Sequence, residues 1–290
     1  MIRVYTLVGF LGLLLIYGCD VDQAMLRGSE GDGYQFDNEG LKEEGFEVDE
    51  ALVDVFTLTS DNNGDEAEIY ALYVGDKGRI ATDTVILYCH GNGAYLDLFW
   101  PKIGQLANIG GRHRYGVMAY DYRGFGQSEG TSTGLGTMNA DVDACLEWLK
   151  ENGLTDDRLI ILGESLGSIP ATYVVGEKRV MMPAKYIIEV PQSTADAIGQ
   201  DASGLSLPSS FLTDFNFDLV SQIANYEGYL LWMHGTEDKV APLENAEKVY
   251  EAHRGAYKAK VIVEGAGHGL RWDMGFEEWG KPIYAFIITD

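Results

Sequence analysis

Short apolar runs recur along the chain and alternate with stretches that have helical periodicity. The first two runs, 51–58 and 67–74, flank the turn residues 61–65 and predict an antiparallel hairpin. The later runs are almost wholly apolar, which is typical of strands buried on both faces of a parallel sheet. These later runs are 84–89, 115–120, 159–162, 186–190, 229–235 and 260–264. The pattern therefore predicts about eight strands.

Helical patterns lie between most of these strands. Apolar residues recur at helical spacing in 138–150, and similar segments occupy 95–108 and 243–253. We expect Pro101 to break the helix of 95–108, and a last helical stretch begins at Trp272. Strands that alternate with helices predict the α/β class, with a mostly parallel twisted sheet and helices on both of its faces.

One large domain accounts for most of the 290 residues, of which 46% are apolar. We place this domain at 48–290. After Pro191 the periodicity dissolves, and we interpret 192–226 as a small cap insertion. Its apolar side chains either line an acyl pocket or only cover the core. They are Leu205, Leu207, Phe211, Leu212, Phe215 and Phe217.

The N-terminus has the form of a signal peptide over residues 1–18, because Arg3 precedes an apolar run too short to span a bilayer comfortably. The end of the run resembles a lipoprotein lipobox, which implies cleavage before Cys19 and lipidation of its thiol. An uncleaved anchor and ordinary secretion are the alternatives. Residues 19–47 are rich in Gly, Asp and Glu and are predicted to form a solvated tether. The sequence thus predicts a membrane-anchored lipoprotein of a bacterial cell envelope, facing the periplasm or the exterior.

The composition limits the partners and cofactors of the protein. Its 45 acidic and 21 basic residues give a formal charge of −24, which argues against nucleic acid or an anionic membrane as an electrostatic partner. The three cysteines and five histidines have no metal-binding spacing, so the sequence predicts neither a metal site nor another cofactor. Cys89 and Cys145 are expected to be free, buried thiols.

The chemistry of the chain is indicated first by a Gly-x-Ser-x-Gly motif, Gly163 to Gly167, which follows the apolar run 159–162. In this context the motif predicts a sharp strand-to-helix turn that raises the hydroxyl of Ser165 above the edge of the sheet. Small residues are needed at Gly163 and Gly167, because side chains there would collide with neighbouring backbone. Alone, the motif is a weak signal, since a plain turn can use the same residues.

A serine nucleophile needs a base, and the base needs an acid that orients it. His268 follows the last predicted strand and Asp238 follows the strand 229–235, so both lie at the carboxyl edge of the sheet where ligands bind. The chain order Ser165, Asp238, His268 is that of nucleophile-elbow hydrolases. Glu189 is the second candidate for the acid.

The oxyanion formed by the attack needs preorganised N–H donors. We predict the backbone amides of Leu166 and Asn92, with Gly93 as the alternative to Asn92, which would also suit the cap of the following helix. His90 and His234 precede glycines in turns at strand ends, and both are expected to bind loop backbone.

Six motifs in register from about residue 50 to the C-terminus resemble those of α/β-hydrolase-fold proteins. They are His90–Gly93, Asp121–Gly130, Gly163–Gly167, Glu189-x-Pro191, Gly235–Pro242 and Gly265–His268. The branch they resemble most is the "bud emergence" type, with prolyl-oligopeptidase-like and serine-aminopeptidase-like hydrolases nearby. The resemblance implies the same roles for Ser165, Asp238 and His268. Ala94 and Ser168 depart from the pattern of this branch, each standing where glycine is frequent.

The sequence therefore predicts a metal-free serine hydrolase that cleaves a carboxylic ester or thioester of small or medium acyl size through an acyl-enzyme. A serine peptidase, or a non-catalytic lipoprotein that uses the same fold as a binding module, are the alternatives. Arg123 is expected to stabilise its loop by pairing with an acidic side chain. As an alternative, Arg123 binds a carboxylate of the substrate. The oligomeric state is left open.

Overall fold

The computed structural model describes residue 26, residues 33–197 and residues 215–289. The predicted signal peptide, Cys19 and the middle of the predicted cap lie outside these described residues. Within them, no helix has both the length and the apolar character needed to cross a membrane.

The described residues form one sheet of eight strands in the order β1-β2-β4-β3-β5-β6-β7-β8. The antiparallel hairpin β1–β2 joins the sheet through an antiparallel pairing of β2 with β4, and the strands from β3 to β8 are parallel. The strands are β1 Val53–Asn62, β2 Asp65–Val74, β3 Val85–Cys89, β4 Gly116–Tyr120, β5 Leu159–Glu164, β6 Lys185–Glu189, β7 Tyr229–Gly235 and β8 Tyr257–Val263. The predicted fold class is confirmed.

The central strands are buried on both faces, as their apolar runs predict. In β3, successive side chains point to opposite faces, so Leu87 and Cys89 join one hydrophobic core while Ile86 and Tyr88 join the other. Helices cover both cores. They are α1 Glu39–Glu43, α2 Leu96–Asn108, α3 Leu135–Glu151, α4 Ser168–Glu177, α5 Leu219–Ile223, α6 Leu243–Ala252, α7 Leu270–Met274 and α8 Phe276–Ile287.

The helices divide between the two faces according to their apolar stripes. Val142 and Cys145 of α3 pack in the core that contains Cys89, together with residues of α4 and α6. Ile103 of α2 and Ile283 of α8 pack in the opposite core. Cys89 and Cys145 are free and buried, as predicted, and burial raises the pKa of the Cys89 thiol to about 12.

Pro101 does not break α2, so that prediction is wrong. A proline removes one backbone donor from the helical ladder, which usually ends or kinks a helix. Here α2 runs without interruption from Leu96 to Asn108, and Trp100, Ile103 and Leu106 are almost completely buried. Burial of this apolar face outweighs the one lost hydrogen bond.

The described part of the predicted tether, 33–47, packs against the domain rather than lying in solvent. Leu41 is 2% exposed, and the hydroxyl of Tyr34 donates to Asp121 at 2.6 Å. The ring of Phe36 lies 5.0 Å from that of Trp100. Although this segment is acidic overall, its few apolar side chains, such as Leu41 and Phe36, pack against the domain.

The described parts of the predicted cap, 192–197 and 215–226, also belong to the body of the domain. Phe215 and Phe217 are buried in the core, α5 packs against α4, and Thr194 forms an isolated bridge with Asp218. Of the two predicted roles, the structure supports for Phe215 and Phe217 the one in which their rings cover the hydrophobic core. Leu205, Leu207, Phe211 and Leu212 lie outside the described residues.

Candidate active site

Ser165 lies on the turn between β5 and α4 with a φ of 49°, in the left-handed region that serine seldom adopts. A Cβ on Gly163 would come within 2.9 Å of the Gly167 carbonyl oxygen, and a Cβ on Gly167 would overlap the carbonyl oxygen of Cys89. The two glycines thus allow the tight turn that holds the serine in this strained conformation.

The structure brings Ser165, His268 and Asp238 into one hydrogen-bonded chain. His268 lies in the loop between β8 and α7, and its Nε2 is 2.7 Å from the Oγ of Ser165. Its Nδ1 is 2.8 Å from Oδ2 of Asp238. With the proton on Nδ1, the imidazole donates to the carboxylate and its Nε2 is free to accept the proton of the serine hydroxyl.

Asp238 is held as a carboxylate by the loop after β7. Its Oδ1 accepts from the backbone amides of Val240 at 2.8 Å and Ala241 at 2.9 Å. Burial alone would raise the pKa of Asp238, but the hydrogen bonds from His268 and from the amide of Ala241 outweigh it and leave the pKa below its usual value. Asp238, the predicted acid, is therefore ionised.

His234 supports the same loop. It is fully buried, its Nε2 donates to the carbonyl oxygen of Ala241 at 2.8 Å, and burial lowers its pKa. His90 behaves similarly after β3, where its Nδ1 lies 2.7 Å from the carbonyl oxygen of Gly91. Both histidines bind loop backbone, as predicted.

Glu189, the second candidate for the acid, does not lie beside His268. It is the buried last residue of β6, and its carboxylate accepts from the indole of Trp279 at 2.9 Å and pairs with Lys102 at 3.1 Å. Burial raises the pKa of Glu189, and the charge of Glu164 raises it further. Of the two candidates, Asp238 is the one that the structure joins to His268.

Lys102, Glu164 and Glu189 form a buried ion cluster, and Glu164 directly precedes Ser165. The Nζ of Lys102 lies 2.8 Å from Oε2 of Glu164, and the hydroxyl of Tyr88 donates to the same carboxylate. Burial lowers the pKa of Lys102, but the two carboxylates outweigh it and the pKa ends above its usual value. The sequence does not predict this cluster, because a single lysine in a helix usually lies on a solvated face. The position of Glu164 inside the Gly-x-Ser-x-Gly motif is the only feature of the sequence that indicates the cluster.

The loop after β3 packs closely against Ser165. A Cβ on Gly91 would lie 3.6 Å from the Cβ of Ser165, which places Gly91 beside the serine. Asn92 is the next residue in the chain. Leu166 follows Ser165 in the turn and is 6% exposed. The two residues predicted to supply the N–H donors thus belong to the loops that flank the hydroxyl.

Arg123 is structural, and the alternative role does not apply to it. Its Nε donates to Asp141 at 3.0 Å, its Nη1 pairs with Asp65 at 3.2 Å, and its Nη2 donates to the hydroxyl of Ser60 at 2.6 Å. These contacts tie the loop after β4 to β1 and α3, and they take up the guanidinium donors that a substrate would need.

Comparison with known proteins adds to this geometry. The family model described as alpha/beta hydrolase fold matches residues 84–185. The structure also resembles that of the Pyrococcus furiosus esterase Pf2001, with a TM-score of 0.67 and 18% identity, over 91% of this chain and 97% of the other. The chain has the α/β-hydrolase fold.

Two relatives in sequence are more similar but align over a shorter length. The uncharacterized protein YfhR of Salmonella typhi is 27% identical over 191 residues, which are 63% of each chain. Human protein ABHD12B is 27% identical over 209 residues, which are 62% of this chain and 52% of ABHD12B. The chain therefore spans less than two thirds of the length of these relatives.

A cavity of about 220 Å³ lies beside the Ser165 turn and the His268 loop, and neither Ser165 nor His268 itself lines it. It borders Glu164, which precedes Ser165, and Gly269, which follows His268. Its other lining residues are Ala94, Leu98, Phe99, Pro101, Lys102, Arg271 and Trp272. No group of three or more His, Cys, Asp or Glu side chains in the described ranges is placed to hold a metal ion.

Proposed function

We propose that the protein is a serine hydrolase that cleaves a carboxylic ester or thioester of small or medium acyl size through an acyl-enzyme. The observation that carries the proposal is the unbroken hydrogen-bonded chain from Ser165 through His268 to Asp238, with the serine on a left-handed turn. A serine held in a strained turn for structural reasons alone would not need a histidine and an ionised carboxylate aligned behind it.

The reaction follows from these positions. The Oγ of Ser165 attacks the carbonyl carbon while Nε2 of His268 takes the hydroxyl proton, and Asp238 stabilises the imidazolium. The backbone N–H groups of Leu166 and Asn92 bind the oxyanion of the tetrahedral intermediate. When the intermediate collapses, its carbon–oxygen bond to the leaving group breaks and His268 protonates the departing alcohol.

Hydrolysis of the acyl-enzyme repeats the same steps with water. His268 takes a proton from the water, whose oxygen attacks the acyl carbon, and a second tetrahedral intermediate forms. Its collapse breaks the bond to Ser165, which regains its proton from His268. The carboxylic acid leaves and the enzyme returns to its starting state without any cofactor.

An ester is favoured because the fold neighbour from Pyrococcus furiosus is an esterase. The peptidase alternative rests on the charged side chains Lys102, Glu164 and Arg271 of the cavity, since a peptidase needs a charged anchor for a substrate terminus. The experiment is turnover of p-nitrophenyl esters of increasing acyl length, and of aminoacyl p-nitroanilides, by the purified full chain. Ester turnover supports the esterase, and anilide turnover alone supports the peptidase.

Two variants make this assay decisive. We expect Ser165→Ala to abolish turnover, and Ser221→Ala, which removes an exposed serine hydroxyl on α5, to leave it unchanged. Equal turnover by the wild type and Ser165→Ala would contradict the proposal. A folded wild type that turns over no ester and no anilide would favour the binding module instead.

The proposed location is the bacterial cell envelope, with a lipid anchor on Cys19. It is supported by the lipobox-like end of the apolar run 4–16 and by the single basic residue before it. Mass spectrometry of the N-terminal peptide should find Cys19 acylated and residues 1–18 removed. Cys19→Ser should release the protein from the membrane fraction, and an unmodified Cys19 in a membrane-bound wild type would contradict this location.

A further inference from the structure

Arg271 is one of three charged residues, with Lys102 and Glu164, that line this cavity and that the proposed mechanism does not use. It lies in α7, three positions after His268, and is 3% exposed. Lys102, in the same cavity, is neutralised by two carboxylates. Arg271, by contrast, forms no ion pair with a carboxylate in the part of the chain that the structure describes, and a buried guanidinium without a counter-ion is rare in proteins.

The protein contacts hold the guanidinium in place without neutralising it. Its Nε donates to the side-chain oxygen of Gln105 at 2.8 Å, and its Nη2 donates to the carbonyl oxygen of Pro101 at 3.2 Å. The ring of Phe276 lies 3.6 Å from the guanidinium carbon. The Nη1 group has no hydrogen-bond partner among the described residues, so a fixed, planar donor remains for a ligand.

The charges around Arg271 leave it as the site for an anion. Of the carboxylates that act on Arg271, Glu44 has the largest effect, whereas Glu164 and Glu189 are bound to Lys102, and none of the three forms an ion pair with the guanidinium. Burial lowers the pKa of Arg271 to about 10, so the group is still a cation at neutral pH, and an anion at its side would stabilise the charge.

The shape of the cavity limits the size of the anion-bearing group. Leu98 and Trp272, 59% and 70% exposed, form apolar walls at the mouth, whereas Lys102 and Arg271 lie at the buried end. A volume of about 220 Å³ is below the roughly 300–1,000 Å³ of pockets for drug-sized ligands. The cavity therefore suits a short aliphatic or aryl segment that ends in a carboxylate.

We propose that Arg271 binds a carboxylate on the substrate, so that the preferred substrates are esters in which either the short acyl chain or the leaving group carries a negative charge. This inference rests on the proposed function and narrows its substrate class. Arg271 acts on binding and leaves the steps at Ser165 unchanged. An N–H···O bond between two charged groups contributes more than a neutral one, and its loss lowers kcat/KM by roughly ten- to a hundredfold.

Two matched pairs of esters test the proposal with the full chain. Mono-p-nitrophenyl glutarate against p-nitrophenyl valerate places the charge on the acyl side. Para-acetoxybenzoate against its methyl ester places the charge on the leaving group. We expect the wild type to prefer the anionic member of one pair by about tenfold or more. Hydrolysis of the neutral esters without any such preference would overturn this inference and leave the proposed function intact.

Variants separate binding from a structural role. Arg271→Met should lower kcat/KM for the preferred anionic ester by roughly ten- to a hundredfold and leave its neutral partner within about twofold. Arg271→Lys should recover part of the loss, and Arg114→Met, which removes an arginine at the far end of the sheet, should have no effect. An equal loss for both members of a pair would show that Arg271 only holds α7.

Calorimetry tests binding without turnover. The full chain carrying Ser165→Ala should bind monomethyl glutarate more tightly than dimethyl glutarate, and adding Arg271→Met should remove the difference. Equal affinity for the two compounds, together with no anionic preference in the kinetics, would overturn the proposal.

Discussion

Replacing Lys102 with methionine would leave two carboxylates, Glu164 and Glu189, buried without their counter-ion. Glu164 would keep the hydrogen bond from Tyr88, and Glu189 would keep that from Trp279. Methionine has nearly the volume of lysine and fills the same space, so the change removes charge rather than packing. The perturbation thus isolates the ammonium group that the structure places between the two acids.

The magnitude follows from the distances. At 2.8 and 3.1 Å, and an effective dielectric constant of about 20, each ion pair contributes roughly 5–6 kcal/mol before desolvation. Desolvation of Lys102 offsets much of this, and loss of one partner from a buried pair costs about 3–5 kcal/mol in proteins. For a chain of this length, that loss lowers the midpoint of thermal unfolding by about 5–8 °C.

The loss depends on pH with a defined sign. Without Lys102, burial raises the pKa of both carboxyl groups in the folded state above their value in the unfolded chain. Such groups stabilise the fold fully below the unfolded pKa, and that stabilisation is lost as the pH rises through the folded pKa. The free energy of unfolding of Lys102→Met should therefore be closer to that of the wild type at pH ~5 than at pH ~8.

The assay is urea unfolding, followed by tryptophan fluorescence at both pH values. Lys281→Met serves as the control, because it removes an exposed lysine that pairs with Glu277 and Glu278 and should change the free energy by less than about 0.5 kcal/mol. Adding Glu189→Gln to Lys102→Met should recover part of the loss. A loss that is the same at both pH values, or smaller than about 1 kcal/mol, would refute the reasoning.

Four further predictions concern the elbow and the acid. Asp238→Asn should lower kcat by roughly a thousand- to ten-thousandfold, since the histidine loses its orienting carboxylate, and full activity would contradict this. Because the folded pKa of Asp238 is lowered, unfolding titrations should also show that the wild type loses stability as the pH falls through that pKa and that Asp238→Asn loses less. Ser165→Gly should be more stable in urea than Ser165→Ala by about 1 kcal/mol, because glycine relieves the left-handed strain, and equal stability would contradict a strained turn. Gly167→Ala should cost about 1–3 kcal/mol through overlap with the carbonyl of Cys89, while Gly40→Ala, whose Cβ meets nothing within 4 Å, should change stability by less than about 0.5 kcal/mol.

The sequence predicts the sheet and the meeting of Ser165, Asp238 and His268 for one physical reason. Apolar runs identify the buried parallel strands, and residues that directly follow such strands converge on one edge of the sheet. The spacing between the residues along the chain does not matter once the strands are placed. Their catalytic roles remain a prediction that the variants above test.

The cavity beside the site could not be predicted in the same way. Lys102 and Arg271 belong to helices, and whether α2 and α7 bury these side chains depends on how the helices pack against each other. The packing of Tyr34 and Leu41 on the domain depends on such contacts as well. Local patterns cannot show these contacts, because a charged helical residue or an acidic segment is usually solvated.

The most direct test of the central claim is mass spectrometry of the full chain after reaction with a fluorophosphonate probe, which phosphonylates only activated serines. In the proposed mechanism His268 and Asp238 activate the hydroxyl of Ser165, and the account therefore predicts a single adduct on Ser165 in the wild type. The adduct should be absent from Ser165→Ala and unchanged in Ser221→Ala. A folded wild type that forms no adduct, or forms it on another serine, would contradict the assignment of Ser165 as the nucleophile.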